Sequence, residues 1–310
     1  MFKLIIGRFI SMTLVLWVIV TATFVLMHAI PGGPFTAEKA LPEAVLKNIE
    51  ARYHLNDPLS KQYLDYWGNL LQGDLGPSFK YESRTVNEII AESFPVSAEL
   101  GMVAVSLSVL IGIPAGMAGA LYHNRWPDHL VMLFATFGIS VPSFILATVL
   151  IYIFALWLNL LPAAMWGGPE FTILPALALS GMPTAFIARL TRSSMLEVLS
   201  QDYIRTARAK GLTPFHIMWQ HALKNALLPV VTYLGPMIAA IFTGSFVIES
   251  IFAIPGLGRH FVTSIYNRDY TVILGITIFY SVILVFMNFL VDLAYLWLDP
   301  RIKIGGEENH

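Results

Sequence analysis

The chain has 310 residues, of which 56% are hydrophobic and only 13% are Asp, Glu, Lys or Arg, about half the charged share of an ordinary soluble domain. That composition belongs to a membrane protein. A net charge of −1 with Lys and Arg scattered over separate loops excludes a basic nucleic-acid face, and the absence of cysteine excludes disulfides, thiolate metal sites and cysteine nucleophiles.

Lys3 and Arg8 precede a charge-free run from Phe9 to Ala37. Its first two dozen residues suffice to cross a hydrocarbon core of roughly 30 Å. A signal peptide would carry an apolar core of about 7 to 15 residues and a small-residue cleavage site. This run is longer and ends in His28-Ala29-Ile30-Pro31-Gly32-Gly33-Pro34, so it reads as an uncleaved first span. In the water-exposed segment from 31 to 97, LPEAVLKNIEARYHL places Leu41, Val45, Ile49 and Tyr53 on one helical face. PLSKQYLDYWGNLL does the same with Leu59, Tyr63, Trp67 and Leu70. Such short amphipathic helices either cap the membrane helices or touch a soluble partner.

Four further charge-free runs, Leu100 to Asn124, Phe171 to Ala188, Asn225 to Ile248 and Tyr270 to Val291, each hold about one span. The run from His129 to Pro169 is longer, but Asn159, Pro162 and Gly167-Gly168-Pro169 interrupt it. One span is therefore predicted near Leu130 to Trp157, which makes six. In the second span Gly112, Gly116 and Ala120 recur every four residues, a stripe that lets another helix approach closely. Pro114, Pro142, Pro183 and Pro236 are positions for bends. Ionisable residues are scarce in the spans: Glu249 stands at the outer end of the fifth and Asp292 toward the inner end of the sixth. That scarcity speaks against ion-coupled transport, which normally uses buried ionisable groups.

The long polar interval of the second half runs from Arg189 to Pro229. Ser200 is predicted to cap a short helix, with Asp202 in its first turn, Arg208 and Lys210 in its last, and Gly211 after it where a left-handed residue is wanted. Thr213 caps a second helix with Pro214 at its first position. The first helix is basic and amphipathic, with Tyr203, Ala207 and Lys210 near one face, and suits docking in a groove of another protein. A solvated loop that only holds topology is the alternative. After the fifth span, Ile254-Pro255-Gly256-Leu257-Gly258 predicts a strong turn and a dipping or surface helix from Arg259 to Tyr266.

Lys and Arg in the short loops orient the chain. With the amino terminus inside, the inner set is Lys3, Arg8, Arg125, Arg189, Arg192, Arg205, Arg208, Lys210, Lys224, Arg301 and Lys303, against Arg259 and Arg268 outside. Both termini and the 189–226 loop are thereby placed in the cytoplasm, and the 31–97 segment outside. No phosphate-binding G-x-x-x-x-G-K-[ST] loop, H-E-x-x-H or G-x-S-x-G motif is present. His216 and His221 stand five apart and do not share an α-helical face as a metal pair would. No catalytic, cofactor or metal residue is assigned.

The stretch DYIRTARAKGLTPFHIMWQHALKNALLP resembles the cytoplasmic signature loop of permease subunits of binding-protein-dependent ABC importers. Arg205, Thr206 and Ala207 occupy the family's Glu-Ala-Ala positions and Gly211 follows at the family spacing, so only the last Ala and the Gly match the general form. The Leu-Pro ending is displaced: Leu223 is followed by Lys224, and the pair appears as Leu228 and Pro229. This variant resembles the peptide-importing branch. NIEARYHLNDP and GDLGPSFKY resemble the amino-terminal region of the oligopeptide permease B-type subunit, and VIESIF and PGLG recur in the family before the last span.

The resemblance implies an all-α membrane protein with six transmembrane helices and the type I importer permease fold, in the bacterial inner membrane. It divides the chain into residues 1–97, a five-helix core at 98–303 with the coupling loop 189–226, and a polar tail at 304–310. It implies contact with the ATPase through Asp202, Tyr203, Arg205, Thr206, Ala207, Arg208, Lys210, Gly211 and Pro214. Implied partners are a paralogous permease completing a heterodimer, two ABC ATPase subunits that bind the ATP, an extracytoplasmic peptide-binding protein, an oligopeptide substrate and membrane lipid. Dipeptide, nickel, glutathione or opine uptake compete within the family. Outside it, a secondary carrier would make Asp292→Asn abolish uptake, and a membrane scaffold would show no flux.

Overall fold

In the computed structural model the described residues are 2–29, 56–81, 83–242 and 246–298, and among them the regular structure is helical. The sole extended pairing there is an isolated bridge between Pro77 and Thr85. The predicted helix at 41–55, the tail at 304–310 and the side chains of Pro214 and Asp292 lie outside the described residues. Among the described residues five helices are long and apolar enough to cross a membrane: Ile6–Ala29, Val86–Leu121, Pro169–Leu199, Leu228–Ile251 and Tyr270–Val291. The sixth is broken into Trp126–Ser140 and Ser143–Trp157, bent by 107°. Proline explains the break. Pro142 has no N–H and drives Val141 to an extended conformation (φ −88°, ψ 118°), so the helix cannot run through.

The chain divides into two compact units, residues 1–96 with 255–283 and residues 97–254 with 284–310. In the first, α1 (Phe2–Ala29) carries exposed Phe9, Ile10, Leu14, Trp17, Val25 and Leu26, a surface suited to lipid. The amphipathic α2 (Leu59–Leu71) lies against α1: Tyr63 Oη is 2.7 Å from Thr21 Oγ1, and its ring meets Phe24 edge-on at 5.3 Å. Val86, Ile89 and Ile90, from the first turns of α3 (Val86–Leu121), share a core with Leu257, Val272 and Ile276. The surface helix predicted from Arg259 spans Leu257–Asn267 (α10 below) and ends in a left-handed Arg268 (φ 56°).

A buried carboxylate closes this unit. Asp269, before the last span, accepts hydrogen bonds from Ser78 Oγ, from the Phe79 and Lys80 N–H groups (3.1 and 3.3 Å), from Thr271 Oγ1 (3.0 Å) and from the Val272 N–H (3.4 Å). It caps that helix and fixes the 78–80 turn at once.

The second unit is built around one long helix. After α4 (Trp126–Ser140) and α5 (Ser143–Leu150, continued by a π-helical turn over Ile151–Trp157) comes α6 (Pro169–Leu199). Its 31 residues reach about 46 Å at 1.5 Å per residue, well beyond a hydrocarbon core of roughly 30 Å. A side chain at Gly112 would stand 2.8 Å from Ile187 Cγ2, and one at Gly116 2.5 Å from the Ala188 carbonyl oxygen. At these two positions α3 meets α6 at backbone distance. Gly138 does the same for α4, where a Cβ would stand 2.8 Å from that of Ala185. Glu249, expected at the outer end of the fifth span, is fully buried and accepts from Ser97 Oγ at 2.7 Å.

The remaining elements are α7 (Asp202–Ala209), a helical segment at 214–226, α8 (Leu228–Phe242), α9 (Phe246–Ile251), α10 (Leu257–Asn267) and α11 (Tyr270–Leu298).

Candidate functional site

The polar interval begins on a helix. Arg189 and Arg192 belong to α6, which runs on to Leu199, and this displaces the predicted cap. Ser200 ends α6, its Oγ donating to the Glu197 carbonyl at 2.7 Å, and Gln201 precedes α7 without a side-chain cap. The expectation that Ser200 caps α7 is therefore corrected, because α6 extends past its last charge-free residue and leaves a two-residue link.

α7 has a buried side and a charged side. Ile204 and Ala207 point inward onto Met117 and Ala120 of α3, Met195 of α6, and Ile217, Met218, Ala222 and Ala226 of the following segment. Ala207 thus belongs to the seat of the helix rather than to its free face. Asp202, Tyr203, Arg205, Thr206, Arg208, Ala209, Lys210 and Gly211 are exposed. Arg205 Nη1 bonds Asp202 Oδ1 at 3.1 Å across one turn, a solvent-screened pair of small energetic weight. Tyr203 Oη accepts from Asn225 Nδ2 at 2.9 Å, which ties α7 sideways to the 214–226 segment.

Gly211 ends the corner. Its φ is +79° and its N–H bonds the Arg208 carbonyl at 2.9 Å, a left-handed turn that an L-residue adopts only at a cost of about 1 to 2 kcal/mol. Space around its absent Cβ is open, so the constraint there is backbone conformation and not crowding. Thr213 Oγ1 accepts the His216 N–H at 3.4 Å, and Pro214 opens the next helix.

That helix changes pitch. Residues Ile217–Ala222 form a π-helical turn, which brings residues five apart onto one side. The rings of His216 and His221 consequently lie 6.3 Å apart, contrary to the separation expected from α-helical register. Among the described residues no group of three or more His, Asp or Glu side chains gathers to hold a metal ion. Phe215 and Trp219 in the 214–226 segment, exposed by 66% and 58%, are apolar surface that the motif reading missed. An i, i+4 aromatic pair in a polar cytoplasmic stretch was the available signal. The surface of the 202–226 segment thus carries exposed Arg205, Arg208, Lys210 and Lys224 together with exposed Tyr203, Phe215 and Trp219. It is suited to gripping another protein.

The family described as binding-protein-dependent transport system inner membrane component matches residues 109–304, and its N-terminal counterpart matches residues 1–101. The dipeptide transport system permease protein DppB of Bacillus subtilis is 56% identical over 304 residues, covering 98% of this chain and 99% of its own. The oligopeptide transport system permease proteins OppB of Salmonella typhimurium and Escherichia coli K12 are 49% and 47% identical, each over 98% of this chain and 100% of their own. A chain of the inward-facing MetNI methionine ABC transporter superposes with a TM-score of 0.57, 18% identical, covering 68% of this chain and 96% of that one, a likeness of fold. The chain therefore belongs to the inner membrane component family of binding-protein-dependent transport systems, as a multi-pass permease subunit of an ABC importer in the bacterial inner membrane.

Proposed function

We propose that this subunit imports oligopeptides, forms half of the translocation path beside a paralogous permease, and is driven through α7 by separate ATPase subunits. The observation that carries the docking role is the two-sided build of α7. Its apolar side is sunk into a seat made by α3, α6 and the 214–226 segment, so a push on its charged outer side is delivered to two membrane helices. An extracytoplasmic peptide-binding protein delivers the cargo. Dipeptide import is the second reading, favoured by the 56% identical relative named for dipeptides.

Affinity purification of the tagged chain in mild detergent, wild type beside Gly211→Arg, tests the docking role. ATPase subunits and a second permease should accompany wild type, and the ATPases alone should leave the variant. Recovery of the chain by itself, or full ATPase retention by Gly211→Arg, would contradict it. Competition of uptake by peptides of two to five residues separates the cargo readings: inhibition only by dipeptides would replace oligopeptide import with the second reading.

A further inference from the structure

Beside the seat of α7 lies an ion pair whose carboxylate is buried and whose guanidinium is partly exposed. Asp128, in the first turn of α4, is 1% exposed. Its carboxylate accepts from Arg192 Nε at 2.5 Å and Nη2 at 2.7 Å, and from the Asn124 N–H at 2.9 Å. Nδ1 of His123 stands 3.1 Å from Arg192 Nη2 and 3.3 Å from Asp128 Oδ2, so its tautomer decides which of the two it bonds. Gly119 makes room. A Cβ there would meet Arg192 Cδ and Asp128 Oδ1, both at 3.3 Å. The bidentate contact fastens the start of α4 to the cytoplasmic part of α6, and the Asn124 N–H and the His123 ring tie in the link after α3.

The same stretches of α3 and α6 form the seat. Ala120 follows Gly119, and Met195 lies one turn beyond Arg192; both are buried under Ile204 and Ala207. We propose that Asp128 and Arg192 are positioning residues for energy coupling. By holding α4 to the cytoplasmic end of α6 beside the seat, they carry a displacement of α7 into the bent α4–α5 pair. This rests on the reading of α7 as the ATPase contact. Burial alone does not account for the pair, since well-fitted apolar residues replace buried ion pairs at little loss of stability. What an apolar pair lacks is the bidentate geometry that fixes one helix against the other.

The test is the number of peptides moved per ATP hydrolysed by the complete importer in proteoliposomes, for wild type, Asp128→Asn, and the apolar double variant Asp128→Leu with Arg192→Met. ATPase co-purification and thermal stability are measured on the same preparations. The expected result is full ATPase retention in every variant, thermal stability in the double variant near wild type, and peptides per ATP lowered at least about tenfold in both variants. Normal peptides per ATP in Asp128→Asn, or recovery of that ratio together with stability in the double variant, would reduce the pair to a structural one and overturn the proposal. Loss of the ATPases from Asp128→Asn would overturn it too, by placing the pair in docking. If Gly211→Arg keeps its ATPases, the docking reading falls and the proposal with it; if the ATPases leave Gly211→Arg while peptides per ATP stay normal in Asp128→Asn, the proposal alone falls.

Discussion

Two buried aspartates do opposite work in the two units of this chain. Asp269 gathers three N–H groups and two hydroxyls from residues 78–80 and 271–272. Asp128 meets the long side chain of Arg192, besides a neighbouring N–H and the His123 ring. The first closes a turn onto a helix start and is a device of the fold. The second links helices 64 residues apart in sequence through a flexible stem, at the foot of the surface argued to receive the ATPase. A carboxylate surrounded by several backbone N–H groups is tied to the chain on both sides of it, whereas one held by an arginine joins two helices through a flexible stem.

The largest effect should come from breaking the first. Asp269→Ala leaves several buried donors unpaired and should cost about 4 kcal/mol, read as a lowered melting temperature of the detergent-solubilised complex. Asp128→Ala should cost about 2 kcal/mol by removing the partner of the partly exposed Arg192 guanidinium. Here the two aspartates part: adding Arg192→Met to an apolar residue at 128 should recover most of the loss, while no second substitution does so for Asp269. Gly211→Ala imposes a left-handed alanine at an uncrowded position and should cost about 1 kcal/mol, visible as weaker retention of the ATPase at rising salt.

The smallest effect concerns pH. Burial, helped by the charges of Arg84 and Arg259, lowers the pKa of His260 in α10 below its ordinary value. The unfolded chain therefore binds the proton more readily. The stability this neutral histidine contributes is complete above the unfolded value of about 6.5 and is lost as pH falls toward the folded value. His260→Gln should flatten the acid side of a melting-temperature profile between about pH 5 and 7; an unchanged profile would exclude His260 as its cause.

Much of the fold was legible because lipid demands long apolar runs, and these mark the spans directly. The left-handed corner at Gly211 was legible for a local reason, a glycine after a basic last turn. Other features depend on contacts that no local pattern records. Arg189 and Arg192 looked like the end of a span, yet α6 continues through them and Arg192 meets Asp128. That continuation moved Ser200 from the start of one helix to the end of another. Pro142 announced an interruption without its 107° angle. The π-helical turn that pairs His216 with His221 has no signal in side-chain pattern. Ala207 could be placed on α7, but its inward direction follows from where α3 and α6 lie.

The most direct test of the ATPase contact exploits the absence of cysteine from this chain. A single Arg205→Cys on the free side of α7, and a control Leu71→Cys at the end of α2, are each treated with a short thiol-to-amine cross-linker in membranes containing the complete importer. Cross-linking of the ATPase subunit to Arg205→Cys, changed in yield by ATP, with none to Leu71→Cys, is the result expected. Equal yields at the two positions, or ATPase cross-links at neither while uptake remains intact, would contradict the assignment of α7 as the surface through which this permease is driven.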